Sequence, residues 1–281
     1  MSIEKYLQKI ENFTHKKVLI TGATSGIGLE AAKILAKKEA NIVLLARNKD
    51  KADKAKKELL EINPNIDVDY IPYDQSDYES IDNAIKIINE KHTDYDSVVL
   101  NAGILYPPKD AVSKQGYPLT IDTNYLGMRR FLSQITKTCH QKRFIMQASL
   151  VAGLHISKKV DIYNGKYSLF KQYNISKCCI ESLWFSYQNN PGDNEFILVE
   201  PGITSTDIIR GFKQPIKFLG ELWMKIFSHT PKKASLTIIK ALSKEAQNGD
   251  YYVPKHWCTM RGYPKNKKFP KKRIREYLLK Y

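Results

Sequence analysis

The stretch Lys17-Val-Leu-Ile-Thr-Gly-Ala-Thr-Ser-Gly-Ile-Gly28 restricts the fold more than any other in the chain. Val18, Leu19 and Ile20 form a short apolar run that predicts a buried strand. Glycines break it at 22, 26 and 28, and Leu29–Lys38 is rich in helix formers. The local order is therefore strand, bare turn, helix. A turn without side chains lets a ligand reach the backbone, and a helix start offers free N–H groups and a positive dipole end to a phosphate. The spacing is Gly-x3-Gly-x-Gly rather than the general Gly-x-Gly-x-x-Gly fingerprint. An ordinary strand-to-helix turn is the alternative, and the rest of the chain decides between them.

Further strands are predicted at Asn41–Ala46, Val68–Pro72, Ser97–Leu100, Phe144–Met146, Phe196–Val199 and Tyr251–Val253. Helices are predicted at Asn48–Glu61, Tyr78–Glu90, Leu119–Thr138 and Asn174–Gln188, with a helical region over roughly 204–246. This alternation predicts an α/β fold with a doubly wound parallel sheet of about seven strands and helices on both faces. No repeat or Pro/Gly-rich linker divides the 281 residues, so a single domain is expected. Right-handed crossovers put the ligand crevice at the carboxyl ends of the strands. The glycine turn, Arg47, Asp74, Asn101-Ala102-Gly103, Ser149 and Pro201-Gly202 all fall at or just after such ends.

Lys and Arg exceed Asp and Glu by 45 − 29 = 16. Residues 255–281 hold ten Lys/Arg and one acid, and read as a solvated basic tail that also suits anionic surfaces. Deleting residues 261–281 is expected to leave the ligand crevice formed, because every strand end that lines it lies upstream. Tyr263 and Phe269 lie among its lysines, but a nucleic-acid role is not the favoured reading. The cysteines, Cys139, Cys178, Cys179 and Cys258, form no C-x-x-C pair, which argues against a disulfide framework or zinc site and fits a reducing, cytoplasmic setting. No metal ligand set is read. No apolar run is long enough to span a bilayer. Ile3, Tyr6, Leu7 and Ile10 share a helical face, predicting a short amphipathic helix within residues 1–15 laid on the domain.

Six stretches, in order, resemble the short-chain dehydrogenase/reductase family in its classical branch, more loosely its retinol-dehydrogenase-like members. They are Thr21-Gly-Ala-Thr-Ser-Gly-Ile-Gly28, Asn101-Ala-Gly103, Asn124 in Asp-Thr-Asn-Tyr-Leu-Gly, Ser149, Tyr173-Asn-Ile-Ser-Lys177 and Pro201-Gly-Ile-Thr-Ser-Thr206. The resemblance covers about residues 15–255. It implies a Rossmann-type fold, a nicotinamide cofactor and an active site of Asn124, Ser149, Tyr173 and Lys177. It also implies cofactor contacts from Gly22, Thr24, Ser25, Gly26, Ile27, Gly28, Arg47, Asn48, Asp74, Gln75, Asn101, Ala102, Gly103, Tyr173, Lys177, Pro201, Gly202, Ile203, Thr204 and Thr206. Lys177 would contact the nicotinamide ribose, Asn124 would help hold a relay water, and Asp74 would meet the adenine. A homo-oligomer, dimer or tetramer, is the expected assembly.

The chemistry stands on its own as well. Hydride transfer at a carbonyl needs a proton donor, and a free tyrosine, with a pKa near 10, is a poor one at neutral pH. A nearby ammonium lowers that pKa, and residues four apart on a helix share a face. Tyr-x3-Lys recurs in the chain, at Tyr167/Lys171, Tyr173/Lys177 and Tyr263/Lys267 among other places. Only Tyr173/Lys177 leads into an apolar helix, and Tyr167/Lys171 is the alternative. Ser149 is placed to hydrogen-bond the substrate oxygen. The 24 residues from Ser149 to Tyr173 exceed the family's usual spacing; residues 155–172, with Lys158, Lys159, Lys166 and Lys171, are expected to loop beside the site. His155 reads as a loop residue.

Ala46-Arg47-Asn48 ends the second strand without an acid, and an arginine there suits a 2′-phosphate, so NADP(H) is expected over NAD(H). Within 204–230, Leu219, Leu222, Trp223 and Ile226 share a helical face, read as a substrate lid, with core packing or membrane-surface contact as alternatives. The function implied is an NADP(H)-dependent oxidoreductase interconverting a carbonyl and an alcohol. The alternative is a non-catalytic NADP(H)-binding sensor or regulator.

Overall fold

The computed structural model describes residues 2–153, 160–204, 230–256, 261–274 and 278. The lid segment, His155, Lys158, Lys159, Cys258 and Thr206 lie outside them. The chain opens with α1 (Ile3–Leu7), then alternates β1 (Lys17–Thr21), α2 (Gly26–Lys37), β2 (Asn41–Ala46), α3 (Lys49–Ile62), β3 (Val68–Pro72), α4 (Tyr78–Lys91) and β4 (Ser97–Leu100). A composite helix follows: α5 (Leu119–Ile121), a π turn (Asp122–Leu126) and α6 (Gly127–Ile135). Then come β5 (Arg143–Gln147), a 3-10 turn (Leu150–Gly153), α7 (Leu169–Asn189) and β6 (Glu195–Val199). The last elements are α8 (Pro231–Ala234), α9 (Leu236–Leu242), β7 (Tyr251–His256), β8 (Arg261–Asn266) and a 3-10 turn (Lys271–Arg273).

The sheet order is β3-β2-β1-β4-β5-β6-β7-β8. Every neighbouring pair is parallel except β7 and β8. The seven expected strands are present and parallel, and the basic tail adds an eighth, antiparallel one.

Strand periodicity sorts the apolar side chains into two layers. Leu19, Val43, Leu45, Val98 and Leu100 face α4, α6 and α7, while Val18, Ile20, Ile42, Leu44 and Val99 face α1, α2, α3 and α9. Both faces being covered explains why the strands read as continuous apolar runs. Asn48 and Asp77 cap α3 and α4 by accepting from Lys51 and Glu79 backbone N–H groups. Arg143 Nε donates to Glu195 (2.6 Å), and its Nη atoms donate to the carbonyls of Ser243 (2.8 Å) and Ala246 (3.0 Å), closing the end of α9 onto the sheet.

The tail departs most from expectation. Phe269 is buried, its ring 5.1 Å from both Trp184 and Tyr251, and Leu278 is buried too. Tyr263 on β8 stacks on Tyr6 of α1 at 4.9 Å. The N-terminal helix does lie on the domain as the sequence predicts, and it meets the tail there.

Candidate active site

β1 ends in the glycine turn. Gly22 (φ 69°) and Gly26 (φ 58°) lie in the left-handed region, which favours glycine. A Cβ at Gly28 would come within 2.5 Å of the Gly22 carbonyl oxygen and of Asn101 Nδ2, so the turn closes only on bare backbone. Ser25 precedes α2 in extended conformation and its side chain makes no cap bond, so it does not claim the N–H groups of the first turn. Such a turn fits a dinucleotide's phosphates.

Asn101 ties the second strand end to the first. Its Nδ2 donates to the carbonyls of Thr21 (3.0 Å) and Gly22 (3.3 Å), while the Thr21 hydroxyl accepts from Asn101 N and Ala102 N, both at 3.0 Å. Gln75 is buried: its Nε2 donates to the carbonyls of Ala102 and Thr123, and its Oε1 accepts from the Tyr73 phenol. Its side chain is committed to holding the β3 end against the Asn101-Ala102-Gly103 turn. The Asn48 side chain is likewise engaged, in capping α3.

Arg47 stands at the end of β2 with two-thirds of its side chain exposed, 3.8 Å from Asp74 at the end of β3. Asp74 in turn accepts from the Ser76 backbone and hydroxyl. An exposed pair at that distance is weak, so the guanidinium remains available to an anion.

Asn124 sits on the π turn, a local widening of the helix that recurs at functional sites. Its Oδ1 accepts from Ile104 N (2.7 Å), and its Nδ2 donates to Ile104 O (2.8 Å) and Ser176 Oγ (3.1 Å). The side chain thus pins the segment after Gly103 to the start of α7.

That helix begins five residues earlier than the sequence predicts, because Ser168 caps it by accepting from Lys171 N. Tyr173 and Lys177 therefore lie well inside it. The Ser149 hydroxyl reaches the Tyr173 phenol. Lys177 is buried; its ammonium donates to the Gln147 carbonyl (3.0 Å) and lies 5.7 Å from the centre of the Tyr173 ring. Burial lowers the Lys177 pKa to about 8. The Tyr173 phenol moves the other way: burial raises its pKa, and the Ser149 hydrogen bond only partly opposes this. The expected lowering of Tyr173 by Lys177 is corrected for the protein alone: desolvation sets the direction, and the group that opposes it is Ser149.

The rival pairs are occupied elsewhere. The Tyr167 phenol oxygen accepts from Asp161 N (3.1 Å), with Lys171 4.6 Å over its ring, and Tyr263 packs on Tyr6. Beyond β6, Pro201 is buried, Gly202 adopts φ 77° and Thr204 is buried. The sequence reading missed Asn174, whose Nδ2 donates to the Val151 carbonyl and whose buried Oδ1 has no hydrogen-bond partner among the described residues. Its place directly after Tyr173 was the available signal. It missed Arg273 altogether.

A glycine turn, an asparagine-braced second strand end and a Ser-Tyr-Lys group on one sheet edge define a nucleotide-binding oxidoreductase site. The chain belongs to the short-chain dehydrogenase family, whose model, described as short chain dehydrogenase, matches residues 16–216. It is similar to an uncharacterized oxidoreductase of Schizosaccharomyces pombe, 27% identical over 87% of this chain and 78% of the relative. It is also similar to the chloroplastic short-chain dehydrogenase TIC 32 B of Brassica napus, 25% identical over 85% of this chain and 80% of the relative. The same fold is seen in L-sorbose reductase from Gluconobacter frateurii, solved with NADPH and L-sorbose (TM-score 0.64, 19% identity, 86% of this chain and 94% of that one). The protein is an NAD(P)-dependent dehydrogenase or reductase. Among the described residues no helix is long and apolar enough to cross a membrane.

Proposed function

We propose that the protein is an NADP(H)-dependent oxidoreductase that interconverts a ketone or aldehyde with an alcohol, with Tyr173 as acid and base. The observation that carries this is the meeting of Ser149, Tyr173 and Lys177 at the strand edge that also bears the glycine turn. Gly22, Thr24, Ser25, Gly26, Ile27 and Gly28 would hold the phosphates. Arg47 would take the 2′-phosphate, and Asp74 the adenine side. Asn101, Ala102, Gly103, Pro201, Gly202, Ile203, Thr204 and Thr206 would flank the rest, and Lys177 the ribose. The bound nicotinamide supplies or accepts the hydride.

In the reducing direction Ser149 donates a hydrogen bond to the substrate oxygen, and Tyr173 gives that oxygen its phenol proton as negative charge develops. The charged Lys177 stabilises the phenolate left behind, and the proton is restored from solvent. Asn124 positions the surrounding backbone. Two or four copies forming the working assembly belong to the same reading, checked by sedimentation.

The test is a screen of NADPH oxidation over carbonyl compounds of varied size and polarity, followed by Tyr173→Phe on the best substrate. The substitution removes the proton donor and little volume, so kcat should fall by about 10²-fold or more with NADPH affinity kept. Tight NADPH binding with no turnover on any carbonyl would favour the non-catalytic sensor instead. Full activity in Tyr173→Phe would end the assignment.

A further inference from the structure

We propose that Arg273, in the C-terminal tail, is a positioning residue of the active site: one guanidinium holds in register the three elements that carry the reacting groups. Its Nε donates to Glu181 Oε2 at 3.2 Å and its Nη2 to the other oxygen of the same carboxylate, a two-pronged contact. Nη2 also donates to Glu200 Oε1 (2.6 Å) and reaches the Ser149 carbonyl oxygen (3.5 Å), and Nη1 donates to the Tyr251 phenol (3.1 Å). Glu181 and Glu200 are wholly buried, and the Arg273 side chain is 14% exposed.

The places of these partners give the contact its meaning. Glu181 follows Lys177 by four residues on α7, one turn along the same face. Glu200 directly precedes the Pro201-Gly202 turn. Ser149 lies just past the end of β5. The helix of the Tyr-Lys pair, the serine and the turn after β6 therefore converge on one side chain that the family-like motifs do not include. Only a planar fork with several donors can reach these acceptors at once; an ammonium cannot. Two buried carboxylates against one cation is a costly way to obtain stability alone, since apolar side chains of similar volume commonly serve as well. What the charges add is fixed direction.

The proposal rests on the reading of Ser149 and Tyr173 as the reacting pair, and its test separates the two. Arg273→Met alone would strand two buried carboxylates and is expected to unfold the chain. The informative variants of the full chain are Arg273→Lys and the combination Glu181→Gln, Glu200→Gln and Arg273→Met, which removes the charges together. Both should melt cooperatively and bind NADPH within about threefold of the parent, while kcat falls by about 10- to 100-fold, the scale of a misplaced reacting group. Amide hydrogen exchange over residues 147–153 should quicken in both, with β1 and β4 unchanged. Parental kcat in Arg273→Lys, or unchanged exchange over 147–153 in either folded variant, would overturn the proposal. If the parent reduced no carbonyl, the functional reading would fall, and the exchange measurement alone would still decide whether Arg273 braces Ser149.

Discussion

At the residue scale, the two members of the Tyr-Lys pair are shifted by the same cause in opposite senses. Burial disfavours charge, so it raises the Tyr173 phenol and brings Lys177 down to about 8. Tyr173 is thus protonated across the neutral range, as a proton donor in reduction must be. Lys177 is charged below about pH 8 and neutral above it. In reduction kcat/KM should therefore hold steady at neutral pH and decline as pH rises through about 8. The same lowered lysine acts on folding in a definite direction. Between about 8 and its ordinary value the unfolded chain binds the extra proton, so stability of the ligand-free protein rises with pH across that window. A profile of kcat/KM and a denaturation series at matched pH check both.

Arg47 belongs to this scale as well. Its exposure and its loose contact with Asp74 leave the fork free. A charge-assisted bond to phosphate is worth about 1.5–3 kcal/mol, or roughly 10- to 150-fold in affinity. Arg47→Ala should weaken NADPH by that factor and leave NADH nearly untouched, at low and high salt alike. A wild-type preference that vanishes with salt would instead implicate the general field of a +16 protein.

At the scale of elements, much was readable in advance. β2, β3 and β4 begin and end where the apolar runs do, and α3 and α4 start at capping residues, Asn48 and Asp77. The site edge was legible because strand ends in a parallel sheet share one address. The π turn was not legible, since Leu119–Ile135 has ordinary helical periodicity, and neither was the close contact that the helix makes just after it. Gly127 shows that contact: a Cβ there would sit 1.8 Å from the Gln75 carbonyl oxygen, a backbone atom with no room to yield. Gly127→Ala should therefore cost about 1–3 kcal/mol or more through overpacking, despite alanine's better helix propensity. A thermal melt tests this, and a rise in Tm would show that the helix does not need the close approach. The internal bonds of the Gln75 side chain were not legible for a related reason: a polar residue at a strand end shows its buried partners only in the fold.

At the scale of the whole molecule, the tail is where charge density misled. Gly262, Pro264 and the surrounding lysines read as an irregular solvated end. β8 tolerates its proline because it lies at the sheet edge, opposite Pro254, where a missing N–H costs no ladder bond. Removing residues 261–281 would expose Tyr6, Trp184 and Tyr251 and leave Glu181 and Glu200 buried without their cation. The expectation that this truncation keeps the ligand crevice formed is withdrawn. It should yield a chain that aggregates or melts far below the parent, read by circular dichroism and NADPH binding. A truncated protein with parental Tm would contradict the packing.

The pairing of residue 273 with residues 181 and 200 also sets an order of events during synthesis. On the ribosome, the motifs from Gly22 to Gly202 emerge long before Arg273 does. Until it arrives, Glu181 and Glu200 lack the cation that offsets their burial in the finished fold. The contact that finishes the site joins residues 73 to 124 apart in the chain, and contacts of that kind form late. A nascent chain that already displays every recognisable motif would still lack a finished active site, its last requirement waiting in the exit tunnel.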